Sequence, residues 1–211
     1  MRKTPFVTGE FYHIYNRGSD KRVVFPEKED FDRFLLSMEY FNRMKPIGSI
    51  FEFSFIAPKL LGGRTTKLAN IISYCLNSNH FHMILQQNID NGISEFMKRL
   101  GGFTRYINIK YKRSGVLFQG KFKSKHINSN NYLLHLSAYV NQNNLVHQLS
   151  SRNYRSSMTE YISGEGICSK SIILSQFKNR SEYESFSKEA LGNILSKKKQ
   201  DSELRAILLE E

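Results

Sequence analysis

With 211 residues, 40% of them hydrophobic and 24% charged, the chain is long enough to bury a sizeable core and is unlike disordered or fibrous compositions. Lys and Arg number 31 against 19 Asp and Glu, a net charge of +12 interleaved with 11 Tyr and 16 Phe, which favours a polyanion, nucleic acid above all, over a merely soluble basic protein or a membrane surface. Cys75 and Cys168 lie in no CxxC pattern, and neither a leader-like apolar region nor an apolar run long enough to span a bilayer is present, so inert thiols in a soluble, cytoplasmic protein are expected.

The run FYHIYN at 11–16 predicts a strand and RGSDKR after it a turn or basic loop. In EKEDFDRFLLSMEYFNRM, Phe31, Phe34, Leu35, Met38 and Phe41 recur at spacings of three and four, predicting an amphipathic helix whose acidic start suits the positive end of its dipole. SIFEFSFIA (49–57) alternates as a strand and KLLGGRTTK follows as a basic connection. NIISYCL and HFHMILQQ predict two strands joined by a tight turn at Asn77-Ser78-Asn79.

SEFMKRLGGFTRYINIKYKR predicts a helix capped by Ser94 and weakened at Gly101-Gly102, GVLFQGKFKSKHI a lysine-rich strand, and NSNNYLLHLSAYVNQNN an asparagine-capped helix. Strand, helix, strand, strand, helix, strand, helix describes an α+β fold, a ferredoxin-like (RRM-like) antiparallel sheet with helices on one face. Near residue 150 the composition shifts to Ser, Lys and Glu. Residues 1–150 are therefore expected to form the working domain. Residues 151–211 read as a C-terminal extension, with short helices over 170–191 and a charged, detached helix over 194–211.

In a strand alternate side chains share a face, so His80 and His82 project together with Ile84, while Phe81, Met83 and Leu85 face the other way. Two imidazoles so placed can meet one divalent ion, but an isolated HxH also reads as structural histidine. Tyr139 and Asn143, four apart, leave their helix on one face beside Leu133, Leu136 and Val140. Singly, Tyr139 reads as a boundary aromatic and Asn143 as a helix cap.

The ordered set SNHFHMIL, EFMKRLGGFTRYINIKYKRSGVLFQGKFKS and YLLHLSAYVNQNNLV resembles the REP-associated tyrosine transposases and related IS200-like, single-tyrosine transposases of the HUH endonuclease class. HIYNRGSDKRVVF is similar to their first strand and loop and NYRSSMTEYI to the segment after the catalytic helix, so the resemblance spans roughly residues 6–165. It implies an HUH endonuclease fold, His80 and His82 as ligands of Mg2+ or Mn2+, Asn143 as a third ligand, and Tyr139 as nucleophile. The implied substrate is single-stranded DNA beside a hairpin, cut through a 5′-phosphotyrosine with release of a 3′-hydroxyl, by a monomer or a homodimer. The chain departs from the family at Asn77-Ser78, where Met-Pro is usual, and at Asn143-Asn144, where Asn-Pro is usual. Neither change removes a ligand, though losing two prolines loosens the turn and the helix end.

Phosphate contacts are expected from Arg17, Lys21 and Arg22 after the first strand and from Lys112, Arg113, Lys121, Lys123 and Lys125 around KRSGVLFQGKFKSK, with Phe118 and Gln119 placed to touch bases. Tyr106, Tyr111 and Tyr132 are rival nucleophiles that lack an Asn at i+4. His13, His126 and His135 read as structural or exposed, His135 standing one turn before Tyr139. The alternative to a nicking enzyme is a relative that binds hairpin DNA or RNA without cutting it. A nuclease using activated water would need the histidines and not Tyr139.

Overall fold

The computed structural model describes residues 5–50, 66–147 and 153–208, with 198–208 as helical backbone. All but Ser49 and Ile50 of the strand expected over 49–57, and most of the basic connection after it, lie outside the described residues. Strand β1 (Phe11–Arg17) is followed by one 3-10 turn at Ser19–Lys21 and helix α1 (Lys28–Tyr40). A reciprocal cap starts α1: the Glu27 side chain accepts from the Asp30 backbone, and Asp30 Oδ2 accepts from the Glu27 N–H at 2.9 Å.

Strands β2 (Ala69–Asn77) and β3 (His80–Gln87) form the expected hairpin, with Asn77 paired to His80 across a two-residue turn. The Ser78 carbonyl accepts from the N–H groups of both Val24 and Phe25, at 2.7 and 3.0 Å, which ties the turn to the loop after β1. Gly18 starts that loop: a Cβ there would stand 2.2 Å from the Arg22 carbonyl oxygen, so the chain can fold back this tightly only at glycine.

Helices α2 (Gly92–Leu100) and α3 (Phe103–Lys110) replace the single helix expected here, because the chain breaks at Gly101-Gly102, where helix propensity is lowest. The N-cap is Asn91 in the left-handed region rather than Ser94, which lies inside the first turn. Of the predicted lysine-rich strand only Lys123–Ile127 pairs, as β4; 115–122 is a loop with an isolated bridge from Phe118 to Gly18, just past β1, and with the Gln119 N–H donating to the Arg17 carbonyl at 2.8 Å.

Helix α4 (Asn130–Asn141) is capped by Ser129, whose Oγ accepts from the Tyr132 N–H at 3.2 Å, not by asparagine. A short helix α5 (Asn143–Val146) follows. The chain then forms β5 (Tyr154–Ser156), α6 (Met158–Ser163), α7 (Ser171–Leu174) and α8 (Arg180–Leu208).

The sheet is antiparallel throughout, in the order β4-β1-β3-β2-β5. Its first four strands have the ferredoxin-like arrangement, and β5 extends the free edge of β2. Helices cover both faces rather than one. Tyr12, Ile14, Phe81, Met83 and Leu85 meet α1, α2 and α3 through Phe31, Phe34, Phe96 and Phe103. Ile72, Cys75 and Ile84 meet α4 and α8 through Leu136, Val140 and Tyr183. Sheets in which every second residue is apolar on each face bury both sides, and this one does so because β2 and β3 are buried almost end to end.

Within the expected extension, residues 154–156 supply an edge strand, and Tyr161, Ile173 and Tyr183 close this second core. Tyr161 OH donates to the Ile72 carbonyl at 2.9 Å, and Tyr183 OH accepts from Asn141 Nδ2 at 2.8 Å. No helix among the described residues is long and apolar enough to cross a membrane.

Candidate active site

The β2–β3 hairpin places His80 and His82 on the face that packs against α4, and Phe81 in the opposite core at 2% exposure. That is the period-two outcome expected from the sequence. Their rings lie edge to face with centroids 5.3 Å apart.

Each imidazole is held from behind. His80 Nδ1 lies 2.6 Å from Asn79 Oδ1, an oxygen that can only accept, so the proton sits on Nδ1 and Nε2 keeps its lone pair. His82 Nδ1 lies 2.9 Å from His13 Nε2 on β1. With the proton on His82 Nδ1, its Nε2 is left with a lone pair as well. The Tyr15 ring stacks on His82 at 5.8 Å, and the His147 ring meets His80 at 4.7 Å. Burial is the main cause that keeps all three strand histidines neutral: His13 and His80 are lowered to about 4, and His82 falls well below its ordinary value. Burial disfavours the charged imidazolium, and neutral imidazole is the form that binds metals.

Tyr139 projects from α4 onto this pair, its ring 5.7 Å from that of His82 and edge to face. Burial raises the pKa of its phenol, and the Asn143 amide beside it acts in the opposite direction. Asn143 is not on the same unbroken helix. The chain turns at Gln142 (φ −113°), and Asn143 opens α5, which carries its amide across to the hairpin. There Asn143 Oδ1 lies 3.1 Å from His80 Nε2, while Asn143 Nδ2 is buried without a hydrogen-bond partner. Asn77, at the end of β2, sends its Nδ2 to within 2.6 Å of Asn143 Oδ1 and 2.8 Å of His80 Nε2.

Among the described residues no three His, Cys, Asp or Glu side chains gather as a metal set, so a cation here would need an amide oxygen. The donors fit one. Two neutral imidazoles held by outer partners and a carbonyl oxygen aimed at one of them are ligand types that divalent cations accept, and the outer contacts orient rings as metal sites require.

A cleft of about 280 Å³ opens over the histidines, bordered by Tyr15, Arg17, Gln119, Lys123 and His147. Of the predicted phosphate contacts, Arg17 and Lys123 therefore border the site. Lys121 lines a neighbouring apolar cavity with Phe118, and Lys125 lies over the Tyr132 ring at 5.0 Å. Lys21 and Arg22 stand in the loop behind the hairpin turn, where Arg22 Nε donates to the Ser19 carbonyl and Asn79 Nδ2 to that of Lys21. Lys112 and Arg113 follow α3 and line none of the described clefts.

The rival tyrosines have other duties. Tyr106 and Tyr111 donate to the carboxylate of Asp30 at 3.2 and 2.6 Å, and Tyr132 lies under Lys125. His135 packs on Phe186 at 5.2 Å, and His126 pairs with Glu10.

Residues 64–143 match the model of a family described as Transposase IS200 like. Over these residues the chain is similar to that family. The matched segment carries the hairpin and Tyr139, and it ends on Asn143. A solved structure described as "Structure of the REP associates tyrosine transposase bound to a REP hairpin" aligns with a TM-score of 0.47 at 11% identity, covering 77% of this chain and 85% of that one. No curated protein matches the chain.

Sequence reading missed three residues of this site: Asn79 and His13, which pack against the imidazoles, and Asn77. His13 stood on the same face as Tyr15 by alternation, but nothing local marked its partner, which is 69 residues away.

Proposed function

We propose that the protein is a single-strand DNA endonuclease and strand-transfer enzyme of the HUH tyrosine class, acting beside DNA hairpins. The observation that carries this reading is the meeting, in one chain, of Tyr139 with His82 and of Asn143 Oδ1 with His80 Nε2. The IS200-like sequence match supports it. In this reading His80, His82 and Asn143 hold Mg2+ or Mn2+. A divalent cation bound there polarises a phosphate and offsets charge in the transition state.

Arg17 and Lys123, at the border of the cleft, attract and seat the backbone. Tyr139 loses its proton to water in the cleft, and its oxygen attacks phosphorus. One P–O bond forms to the tyrosine and one breaks to the departing sugar, whose 3′-oxygen takes up a proton. The phosphodiester survives as a protein ester, so attack by another 3′-hydroxyl rejoins DNA without an external energy source. Burial raises the Tyr139 pKa, so the phenol must give up its proton as it attacks.

Labelled single-stranded hairpin DNAs incubated with the protein and Mn2+ are expected to give a protein–DNA adduct that survives denaturation, lost in Tyr139→Phe. Cleavage that persists in Tyr139→Phe without an adduct would assign the chemistry to activated water. Binding without cleavage would assign the fold to recognition alone.

A further inference from the structure

We propose that Asn77 is a further protein ligand of the divalent cation, through Oδ1, an inference that rests on reading His80 and Asn143 as ligands. Three side-chain atoms meet at one point of the site: His80 Nε2, Asn143 Oδ1 and the amide tip of Asn77. The edges of their triangle are 3.1 Å (His80 to Asn143), 2.8 Å (His80 to Asn77) and 2.6 Å (Asn77 to Asn143).

Adjacent ligands of an octahedral cation bound at about 2.1 Å are about 3 Å apart. The triangle therefore has nearly the size of one face of such a shell. Hydrogen bonds alone do not require that closeness between His80 Nε2 and Asn143 Oδ1, since both are acceptors once His80 carries its proton on Nδ1.

The Asn77 amide now resolves that opposition by donating both hydrogens of Nδ2, one to each acceptor. Asn77 is fully buried, and its Oδ1 has a weak partner, the thiol of Cys75 at 3.4 Å. A half-turn of the amide exchanges Nδ2 for Oδ1 at the same point. The oxygen then completes a face of three lone pairs, and Nδ2 meets the Cys75 sulfur, which accepts weakly. The turn costs little because the amide is nearly symmetric in shape. Methionine, usual at this position in the family the chain resembles, offers no oxygen, so the additional ligand would be particular to chains with an amide here.

Mn2+ titration of the full-length protein by calorimetry and electron paramagnetic resonance tests this without relying on activity. His80→Ala should abolish tight Mn2+ binding. Asn77→Leu should weaken it by about tenfold or more, while circular dichroism and thermal unfolding show the fold retained. Asn77→Asp separates a ligand from a positioning donor. A carboxylate can coordinate but cannot donate to His80 and Asn143, so a ligand role predicts Mn2+ binding at least as tight as wild type and a donor role predicts weakened binding. Wild-type affinity in Asn77→Leu, or weakened affinity in Asn77→Asp, would overturn the assignment of Asn77 alone. Equal Mn2+ binding by wild type and His80→Ala, or none by either, would overturn the cation site itself and the Asn77 assignment with it.

Discussion

His13 Nε2 on β1 stands 2.9 Å from His82 Nδ1 on β3, a contact made possible because the antiparallel register pairs His13 with Ile84 and Tyr15 with His82. His13 thus stands behind His82 as an outer hydrogen-bond partner that orients its ring. Partners of this kind commonly set metal affinity within one to two orders of magnitude. His13→Ala is therefore expected to weaken Mn2+ binding about 10- to 100-fold in calorimetric titration, with the circular dichroism spectrum unchanged. Unchanged affinity would reduce His13 to a packing residue.

The tyrosine helix depends on the C-terminal helix. Tyr183 OH accepts from Asn141 Nδ2 at 2.8 Å and lies 3.2 Å from Ser137 Oγ, both on α4 and all buried. Tyr183→Phe leaves the Asn141 donor without its acceptor, which costs about 1–3 kcal/mol. Urea unfolding should show this loss, and amide exchange should show faster opening of α4. A variant as stable as wild type would mean that α8 is held by its apolar contacts alone.

Asp30 makes stability depend on acid. Burial pushes its carboxyl upward, but hydrogen bonds from Lys110, Tyr111 and the Glu27 backbone prevail and hold it below the usual carboxylate value. Its folded pKa is thus lower than its unfolded one, so its contribution is complete above about pH 4 and is lost as pH falls through that value toward the folded pKa. Asp30→Asn removes the charge that the buried carboxylate offers to Lys110 at 2.8 Å, while Lys110, 28% exposed, keeps its pair with Glu27; the expected cost near neutrality is about 1–3 kcal/mol. Unfolding curves between pH 2 and about 5 should be less steeply pH-dependent in the variant. Parallel pH profiles would refute the assignment.

Arg17 and Lys123 border the cleft over the histidines. If each neutralises one phosphate of a bound single strand, Arg17→Ala and Lys123→Ala should each lower the slope of log K against log salt by about 0.7. Lys98→Ala, on α2 across the sheet from the histidine face, serves as the comparison and should leave the slope unchanged. Fluorescence anisotropy over a salt series with single-stranded DNA measures this, and equal slopes in all variants would remove both residues from the DNA path.

The sequence by itself determined what repeats locally. Alternation over HFHMIL put His80 and His82 on one face and Phe81 on the other, a consequence of strand geometry that needs no partner. Asn77-Ser78-Asn79 marked the hairpin turn, and apolar spacing marked the helix that carries Tyr139. Tertiary structure decided what docks on those faces. His13 and His82 meet across 69 residues and Asn77 and Asn143 across 66, so their contacts depend on strand register and helix docking, which periodicity does not encode. Helix periodicity suggested that Asn143 follows Tyr139 on one continuous face, but the break at Gln142 carries it to His80 on a second helix. The polar, charged composition after residue 150 concealed an edge strand and two core tyrosines, because three paired residues in β5 and the buried phenols of Tyr161 and Tyr183 are too few to show as a pattern, yet enough to anchor the segment.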